Sequence, residues 1–233
     1  MKIAVMQPYF LPYIGYYQLI NAVDKFIFYD DVNFIKGGWI NRNRFLIHGK
    51  HSYITIPAKQ ISPNKLINSI EIMDGTQWRN KILKTVEQSY KKAPYFEIIY
   101  EIFREILLFQ CQYLCEFIIN GLKVTTDYLS IKNMMISSSF SYRNSSLKRQ
   151  ERILDICNQE NVTHYINASG GRLLYDTHSF KKHGVNLLFI KSNSIIYQQF
   201  SEPFEPWLSI IDVLMFNPKE KVQSFLGDYV LQS

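Results

Sequence analysis

The chain has 233 residues, of which 47% are hydrophobic and 20% are charged, and its formal net charge is +6. This composition excludes a disordered chain, and the length suits a single core. The three cysteines, Cys111, Cys115 and Cys157, fit neither a disulfide framework nor a Cys-x-x-Cys zinc motif. We therefore predict a reduced, cytoplasmic globular protein.

Membrane and metal association are not expected from the sequence. Pro8 interrupts the first apolar run too early for a signal peptide. The longest apolar segment, residues 96–122, contains Glu and Arg side chains, whereas a membrane span needs about 20 apolar residues. None of the histidine pairs has metal-ligand spacing. The positive charge is spread out, which weighs against nucleic acid as a partner but is compatible with small anions such as nucleotides.

The first 30 residues predict a βαβ unit. Residues 2–6 are apolar or β-branched and end at a Gln-Pro pair, which predicts a buried strand. Residues 12–22 have helical spacing, with Pro12 near the first turn, and residues 25–29 predict a second strand. A strand, helix and strand in this order imply a parallel sheet with a right-handed crossover.

The rest of the chain continues to alternate between strands and helices. A polar loop is predicted over residues 33–49. Strands are predicted over residues 51–57 and 67–73, as a possible antiparallel pair, and over 134–140, 163–167 and 185–190. Helices are predicted over residues 77–90, 95–122, 146–159, 206–216 and 219–229. We predict an α/β fold with a mainly parallel, Rossmann-like sheet, in one domain (residues 1–233) with a helical subdomain at about residues 76–130.

The segment between the first strand and its helix is the first candidate site. It contains more prolines and tyrosines than such a turn requires. Ligands bind at the carboxyl ends of strands in α/β sheets, where a helix N-terminus also offers free N–H groups to phosphate. We predict that Gln7, Tyr13, Gly15 and Tyr16 bind substrate. The alternative is an aromatic staple that holds the loop against the core.

Two later segments are also candidates for substrate binding. Trp39 offers a stacking face, and the polar residues that follow offer donors to phosphate or sugar oxygens; we select Asn41, Arg42 and Asn43. The strand at residues 163–167 runs into a glycine turn typical of phosphate or sugar binding, where we select Tyr165, Ser169 and Gly170. A plain surface loop is the alternative for the first segment, and an ordinary strand-to-helix turn for the second.

Two acidic residues, Asp30 and Asp31, follow the second predicted strand. Either could bind a metal, take a proton or accept ribose hydroxyls. Because adjacent residues of a strand point to opposite faces, at most one should enter a site. The alternative is a solvated strand end.

These segments together resemble the WbqC-like family. The motifs that carry the resemblance are Gln7-Pro8-x-x-Leu11-Pro12-Tyr13-x-Gly15-Tyr16, Tyr29-Asp30-Asp31-Val32-x-Phe34 and Trp39-x-Asn41-Arg42-Asn43. The likeness continues to residues 209–212 and so spans nearly the whole chain, although the turn at residues 167–170 is longer than the family pattern leads us to expect. Members are typically encoded among bacterial genes for O-antigen and other surface polysaccharides. The resemblance therefore implies a part in that biosynthesis.

The first βαβ unit is also similar to that of nucleotidyltransferase-type α/β enzymes. Their turn reads His-x-Gly-His, and its histidines stabilise nucleotide phosphates, whereas Tyr13 and Tyr16 stand at those positions here. A phenol donates a hydrogen bond but does not become cationic near neutral pH. This likeness implies a nucleotidyltransferase-like sheet and nucleotide binding, and it weighs against adenylation by the usual means.

We predict a transferase that places an acyl or aminoacyl group on the amine of a nucleotide-activated amino sugar. Asp30, Asp31 or His164 would accept the proton, and the selected binding residues would hold the substrate. The predicted partners are a nucleotide-activated sugar and an acyl or aminoacyl donor, with aminoacyl-tRNA as one form of that donor. The alternatives are an ATP-dependent amide ligase and a non-catalytic nucleotide-sugar-binding module. The sequence identifies neither a cofactor nor an oligomeric state.

Overall fold

The computed structural model describes residues 1–200 and 203–233. Its strands are β1 (Lys2–Met6), β2 (Lys25–Phe28), β3 (Arg42–Ile47), β4 (Lys50–Thr55), β5 (Met134–Ile136), β6 (His164–Ala168), β7 (Asn186–Ser192) and β8 (Tyr229–Gln232). Its helices are α1 (Ile14–Asn21), α2 (Gln77–Tyr90), α3 (Phe96–Leu108), α4 (Leu114–Tyr128), α5 (Arg149–Gln159), α6 (Thr177–Lys182), α7 (Ile210–Phe216) and α8 (Lys219–Phe225). In these ranges no helix is long and apolar enough to cross a bilayer.

A six-stranded sheet, in the order β5-β2-β1-β6-β7-β8, forms the centre of the molecule. All neighbouring strands are parallel except β7 and β8, which are antiparallel. The prediction of an α/β fold with a mainly parallel, Rossmann-like sheet is confirmed. The chain leaves β1 toward β2 on one side and leaves β6 toward β7 on the other. The topological switch point, where α/β folds bind ligands, therefore lies between β1 and β6.

Both faces of the sheet are buried, as the apolar character of its strands requires. Along β1, Ala4 packs into a large cluster with α1–α4, α7 and α8, while Ile3 and Val5 pack into a smaller cluster with α5 and α6. The side chains of β2 alternate in the same way. Helices α2 to α4 occupy the part of the chain for which we predict a helical subdomain.

A hairpin occupies the segment that was predicted to be a polar loop, so that prediction is wrong for residues 42–47. Strands β3 and β4 form a separate antiparallel pair. Their two-residue turn, His48-Gly49, has φ values of 54° and 75°, which match the twist of such hairpins. Strand β3 was missed because it begins with three polar residues, Arg42, Asn43 and Arg44, which are typical of a loop.

The predicted strand over residues 67–73 is also wrong. This segment begins with a 3₁₀ turn, Ile67–Ser69, and its backbone bonds to several separate segments instead of one partner strand. Ile67 N–H donates to the Val32 carbonyl at 2.9 Å, and Leu114 N–H donates to the Ile70 carbonyl at 2.8 Å. The segment therefore joins the end of β2 to the start of α4.

One predicted helix, residues 95–122, is two helices in the structure, α3 and α4. The chain leaves the helical conformation at Phe109, where ψ is 125°. The buried Arg79 donates through Nη1 to the carbonyls of Leu107 and Phe109, and so satisfies acceptors at the end of α3. Near the C-terminus, the predicted helix over residues 219–229 ends at Phe225, and the antiparallel edge strand β8 follows.

Candidate functional site

A cleft of about 390 Å³ opens at the carboxyl ends of β1 and β6. We call it the switch-point cleft, and it is lined by Met6, Tyr9, Pro12, Tyr13, Gly15, Tyr16, Leu19, Trp39, Asn43, Arg44, Ala168, Ser169, Gly170 and Trp207. Its size lies within the range of small-molecule sites, about 300–1,000 Å³. Its position is the one at which open α/β sheets bind their ligands.

The loop from β1 to α1 is held in place by three other segments. Phe10 N–H lies 3.1 Å from the carbonyls of both Trp39 and Ile40. Asn43 Nδ2 donates to the carbonyls of Phe10 at 2.9 Å and Leu11 at 3.0 Å. The hydroxyl of Ser209, at the start of α7, also donates to the Leu11 carbonyl, at 2.8 Å.

These bonds hold Leu11 in an unusual backbone conformation, with φ at 39°. A left-handed φ at a non-glycine residue costs free energy and persists only where the surroundings enforce it. Backbone strain of this kind is concentrated at functional sites. The wall of the switch-point cleft is thus preorganised by contacts that lie far apart in the sequence.

Tyr13 folds back over the first turn of α1. A β-carbon at position 15 would collide with the Tyr13 ring, so only glycine leaves room for this arrangement. The other side of the ring meets Trp207 edge-on, with 5.6 Å between ring centroids. Tyr13 therefore covers the N-terminus of α1 and forms one aromatic wall of the cleft.

Arg44 supplies the positive charge of the switch-point cleft. Its guanidinium lies 5.6 Å from the Trp39 ring centroid, and its Nη2 donates to the Trp207 carbonyl at 2.9 Å. Within the described part of the chain, no other residue lining the cleft is charged. A guanidinium between two aromatic side chains suits a phosphate-bearing ligand with a flat ring.

Two phenols of the cleft, those of the partly buried Tyr9 and the buried Tyr16, are hydrogen-bond donors and not bases. Burial raises the pKa of Tyr9 and raises that of Tyr16 well above the usual value for tyrosine. Both therefore remain protonated at neutral pH. The Tyr16 hydroxyl donates to the Gln7 carbonyl at 2.8 Å, so it also fixes the end of β1.

The structure brings seven of the predicted binding residues together in this cleft. They are Tyr13, Gly15, Tyr16, Trp39, Asn43, Ser169 and Gly170. Two of these come from the turn after β6, and the others come from the β1–α1 segment and from residues 39–43. Three distant parts of the sequence thus meet at one edge of the sheet.

Four other predicted binding residues do not line the cleft. Gln7 contributes its backbone carbonyl to Tyr16. Asn41 Nδ2 donates to the Ile56 carbonyl at 2.9 Å, which anchors the hairpin. Arg42 stacks on Tyr53, with its guanidinium 4.3 Å from the ring centroid.

Tyr165, the fourth, is fully buried on the other face of the sheet. Its ring stacks on Phe180 with 5.5 Å between centroids, as part of the smaller core cluster. Because alternate side chains of a strand face opposite sides, it points away from the loops that form the cleft.

The three predicted proton acceptors also lie outside the switch-point cleft. His164 begins β6 beside Lys2 of β1, at the amino edge of the sheet, whereas the cleft is at the carboxyl edge. The Asp31 carboxylate is buried and paired with Arg152. Asp30 lines a different cleft, beside α4. In residues 1–200 and 203–233, no group of three His, Cys, Asp or Glu side chains could hold a metal ion.

Sequence reasoning missed three important residues of the cleft, Tyr9, Arg44 and Trp207. Tyr9 and Arg44 lie within the segments selected as candidate sites, but they were not among the predicted binding residues. Had β3 been recognised, its two-residue period would have placed Arg44 on the same face as Arg42. Trp207 carried no local signal, because its role depends on a contact with Arg44, 163 residues away.

A family model described as the WbqC-like protein family matches residues 7–224 of the chain. The uncharacterized protein Rv1507c of Mycobacterium tuberculosis is 28% identical over 228 residues, which cover 97% of each chain. No solved structure matches the chain at a significant level of similarity. All residues that line the switch-point cleft except Met6 lie within the range matched by the family model.

Proposed function

The chain belongs to the WbqC-like protein family, and from this premise we propose that it is a transferase of surface-polysaccharide biosynthesis. In this proposal it binds a nucleotide-activated amino sugar in the switch-point cleft and places an acyl or aminoacyl group on the sugar amine. The observation that carries the proposal is the cleft itself. It lies at the switch point of a mainly parallel sheet and combines aromatic walls with one guanidinium.

Each part of a nucleotide-activated sugar has a complementary group in the cleft. Trp39 and Trp207, which are 38% and 57% exposed, present flat faces for a base or a sugar ring. Arg44 lies between them and offers N–H donors to the diphosphate. The turn at Ser169 and Gly170 offers a hydroxyl and backbone that a ligand can approach closely.

Acyl transfer to an amine suits a cleft with these groups. The amine nitrogen attacks the carbonyl carbon of the activated donor, an N–C bond forms, and the bond from that carbon to its leaving group breaks. The leaving group carries away the amine proton. Since the donor is already activated, the protein has to orient the reactants and donate hydrogen bonds to the developing oxyanion. Arg44 and the protonated Tyr9 are donors of this kind.

A non-catalytic nucleotide-sugar-binding module is the second candidate, and one observation favours it. Among the described residues that line the cleft there is no carboxylate, imidazole or thiol. A binding module needs none of these groups, whereas most transferases use one as a base.

The binding part of the proposal is tested by thermal shift with UDP- and dTDP-linked amino sugars, free nucleotides, acetyl-CoA and ATP with Mg²⁺. A ligand at a hundredfold excess over its Kd adds about 2.7 kcal/mol to the unfolding free energy, which raises Tm. We expect a nucleotide-linked amino sugar to raise Tm, and Trp39→Ala to weaken its binding at least tenfold. Ile98→Ala is the control, because Ile98 is an exposed large hydrophobic residue of α3 that lies outside the cleft.

The reaction is tested by mass spectrometry after incubation of the bound sugar with acyl-CoA, aminoacyl-tRNA, or an amino acid with ATP and Mg²⁺. An N-acylated or N-aminoacylated sugar nucleotide from an activated donor supports the transferase. Product that requires ATP supports an amide ligase instead, and binding without product supports the binding module. If no nucleotide sugar raises Tm, or if Trp39→Ala and Ile98→Ala act alike, the assignment of the switch-point cleft is wrong.

A further inference from the structure

A second cleft, of about 550 Å³, lies at the carboxyl ends of β2 and β5. We call it the Asp30 cleft, and it is lined by Asp30, Asn68, Phe109, Tyr113, Cys115, Glu116, Ile119, Asn120, Lys123, Ser137, Ser138 and Phe140. It shares no lining residue with the switch-point cleft. None of these residues has a part in the function proposed above.

The two oxygens of Asp30 have very different surroundings. Oδ1 accepts hydrogen bonds from Ser138 Oγ at 2.7 Å and from Ser139 N–H at 3.1 Å. Oδ2 has the Cys115 thiol at 3.7 Å, and a thiol is a weak donor. One oxygen of a carboxylate that lines the cleft is therefore poorly satisfied within the protein.

The Asp30 carboxylate is buried and forms no ion pair in the described part of the chain, although Lys123 lines the same cleft. The residue is 3% exposed, and in residues 1–200 and 203–233 no Lys, Arg or His nitrogen lies within 4.0 Å of its oxygens. The next residue, Asp31, is similarly buried but is paired with Arg152. A buried carboxylate without an opposite charge is costly, and burial raises the pKa of Asp30 accordingly.

The remaining groups of the Asp30 cleft suit a small hydrogen-bonding molecule. Asn68 and Asn120 offer amides, and Ser137 offers a hydroxyl. Glu116 adds a second negative charge at the rim, and Phe140, which is 65% exposed, adds an aromatic edge. Phe109 and Ile119 add apolar surface, and the ammonium group of Lys123, which also lines the cleft, donates to Ser137 and forms no ion pair with Asp30.

We propose that the Asp30 cleft binds a small molecule through a primary ammonium group, which donates to Oδ2 of Asp30. An ammonium group has three donors, places a positive charge in direct contact with Asp30, and fits beside a carboxylate whose other oxygen is already bonded to serines. Free amino acids and amino sugars share this group. The neutral donors of the cleft then bind the rest of the molecule.

This proposal does not depend on the function proposed for the switch-point cleft. Tyr16 lines the switch-point cleft, and Cys115 lines the Asp30 cleft. Burial is the main cause of the raised pKa of Tyr16, and the nearby Cys115 thiol is a smaller one. These two side chains lie between the clefts. Because Trp39 lines only the switch-point cleft, its substitution should leave binding in the Asp30 cleft unchanged.

The test measures binding of glycine, serine, glucosamine and galactosamine to the full chain by ligand-observed NMR and calorimetry. N-acetylglucosamine, in which the amine is neutralised by an acetyl group, is the neutral probe. We expect an amine to bind at least tenfold more tightly than N-acetylglucosamine, and Asp30→Asn to weaken that binding at least tenfold. Asp127→Asn is the matched control, since it removes the same charge from an exposed position of α4 outside the cleft.

The choice of probes distinguishes the two classes of ligand. Binding of glycine and serine identifies an amino acid as the ligand, and binding of the hexosamines identifies an amino sugar. Equal binding of glucosamine and N-acetylglucosamine overturns the proposal, as does unchanged affinity in Asp30→Asn. Displacement of the amine by Mg²⁺ or Ca²⁺ at lower concentration also overturns it, in favour of a metal site.

The Asp30→Asn variant retains an acceptor oxygen for the two serines. If it nevertheless fails to fold, the comparison of glucosamine with N-acetylglucosamine on the unsubstituted protein decides.

Discussion

Arg152 donates from Nη2 to Oδ2 of Asp31 across 2.5 Å, and both side chains are at least 97% buried. The same guanidinium donates from Nε to Asn144 Oδ1 at 2.9 Å and lies 4.9 Å from the Tyr29 ring centroid. The pair joins the end of β2 to α5. Asp31, which we had predicted as a proton acceptor, thus lies at the centre of a buried polar network.

The first prediction concerns the contribution of this pair to stability. Asp31→Asn leaves the charge of Arg152 buried without its partner, and loss of one member of a buried pair typically costs about 3–5 kcal/mol. We expect a decrease of that size in the free energy of unfolding, measured by urea denaturation. The control is Glu101→Gln, which removes an exposed pair with Arg104 and should cost about 1 kcal/mol or less. Similar losses in the two variants would contradict this account.

The second prediction concerns the aromatic wall formed by Tyr13. In Gly15→Ala the added β-carbon displaces the Tyr13 ring, which is the movable end of a side chain, and moves it away from its packing on Trp207. We expect the variant to fold, because alanine favours a helix by up to about 1 kcal/mol over glycine. The affinity for the ligand of the switch-point cleft should fall at least tenfold. Calorimetry measures the affinity, and tryptophan fluorescence reports the change around Trp207.

The control for this variant is Gly227→Ala. A β-carbon there would meet its nearest neighbour, the Ser224 carbonyl oxygen, at 3.9 Å, which is an ordinary contact. This variant should keep both the affinity and the fluorescence spectrum. If Gly15→Ala behaves in the same way as Gly227→Ala, the position of the Tyr13 ring has no bearing on binding.

Local patterns were sufficient for the parts of the fold in which short-range chemistry decides the structure. The run at Lys2–Met6 contains too many apolar residues to be exposed, and Pro8 and Pro12 limit where the strand ends and the helix begins. The unusual composition of residues 7–17 pointed to the segment that supplies much of the switch-point cleft. These inferences required only periodicity and the restrictions imposed by proline.

The features that were missed depend on contacts between distant residues. The first three residues of strand β3 are polar, and Asn43 among them donates to the carbonyls of the distant residues Phe10 and Leu11. Asp30 and Asp31 are adjacent residues of the same type, and they differ in that Asp31 forms an ion pair with Arg152 of α5. No local pattern encodes which of two adjacent carboxylates receives a cation from the distant helix α5.

A second buried carboxylate, Asp212, is held by neutral donors alone. It accepts hydrogen bonds from Tyr90 Oη at 2.9 Å, Tyr197 Oη at 2.5 Å and Gln199 Nε2 at 2.9 Å. The side chain is fully buried, and in the described ranges no cationic nitrogen lies within 4.0 Å of it. Burial raises the pKa of Asp212, although the three donors partly oppose the shift. This network ties α2 and α7 to the segment before residue 200.

The last prediction follows from the sign of that shift. Below the usual carboxyl pKa of 3.8, Asp212 is protonated in both the folded and unfolded states and adds no pH dependence. At pH values between 3.8 and the raised pKa, Asp212 keeps its proton in the folded state but has lost it in the unfolded state. The free energy of unfolding therefore falls as pH rises. For one proton the slope is at most about 1.4 kcal/mol per pH unit.

Asp212→Asn removes this contribution and leaves the other titrating groups in place. Urea denaturation of both proteins from pH 4 upward should therefore show the unfolding free energy of the unsubstituted protein falling relative to that of the variant, and then levelling off above the raised pKa. A difference that stays constant with pH would mean that Asp212 titrates alike in both states. A difference that changes in the opposite direction would mean that its three donors outweigh burial and lower the pKa, which contradicts the structure.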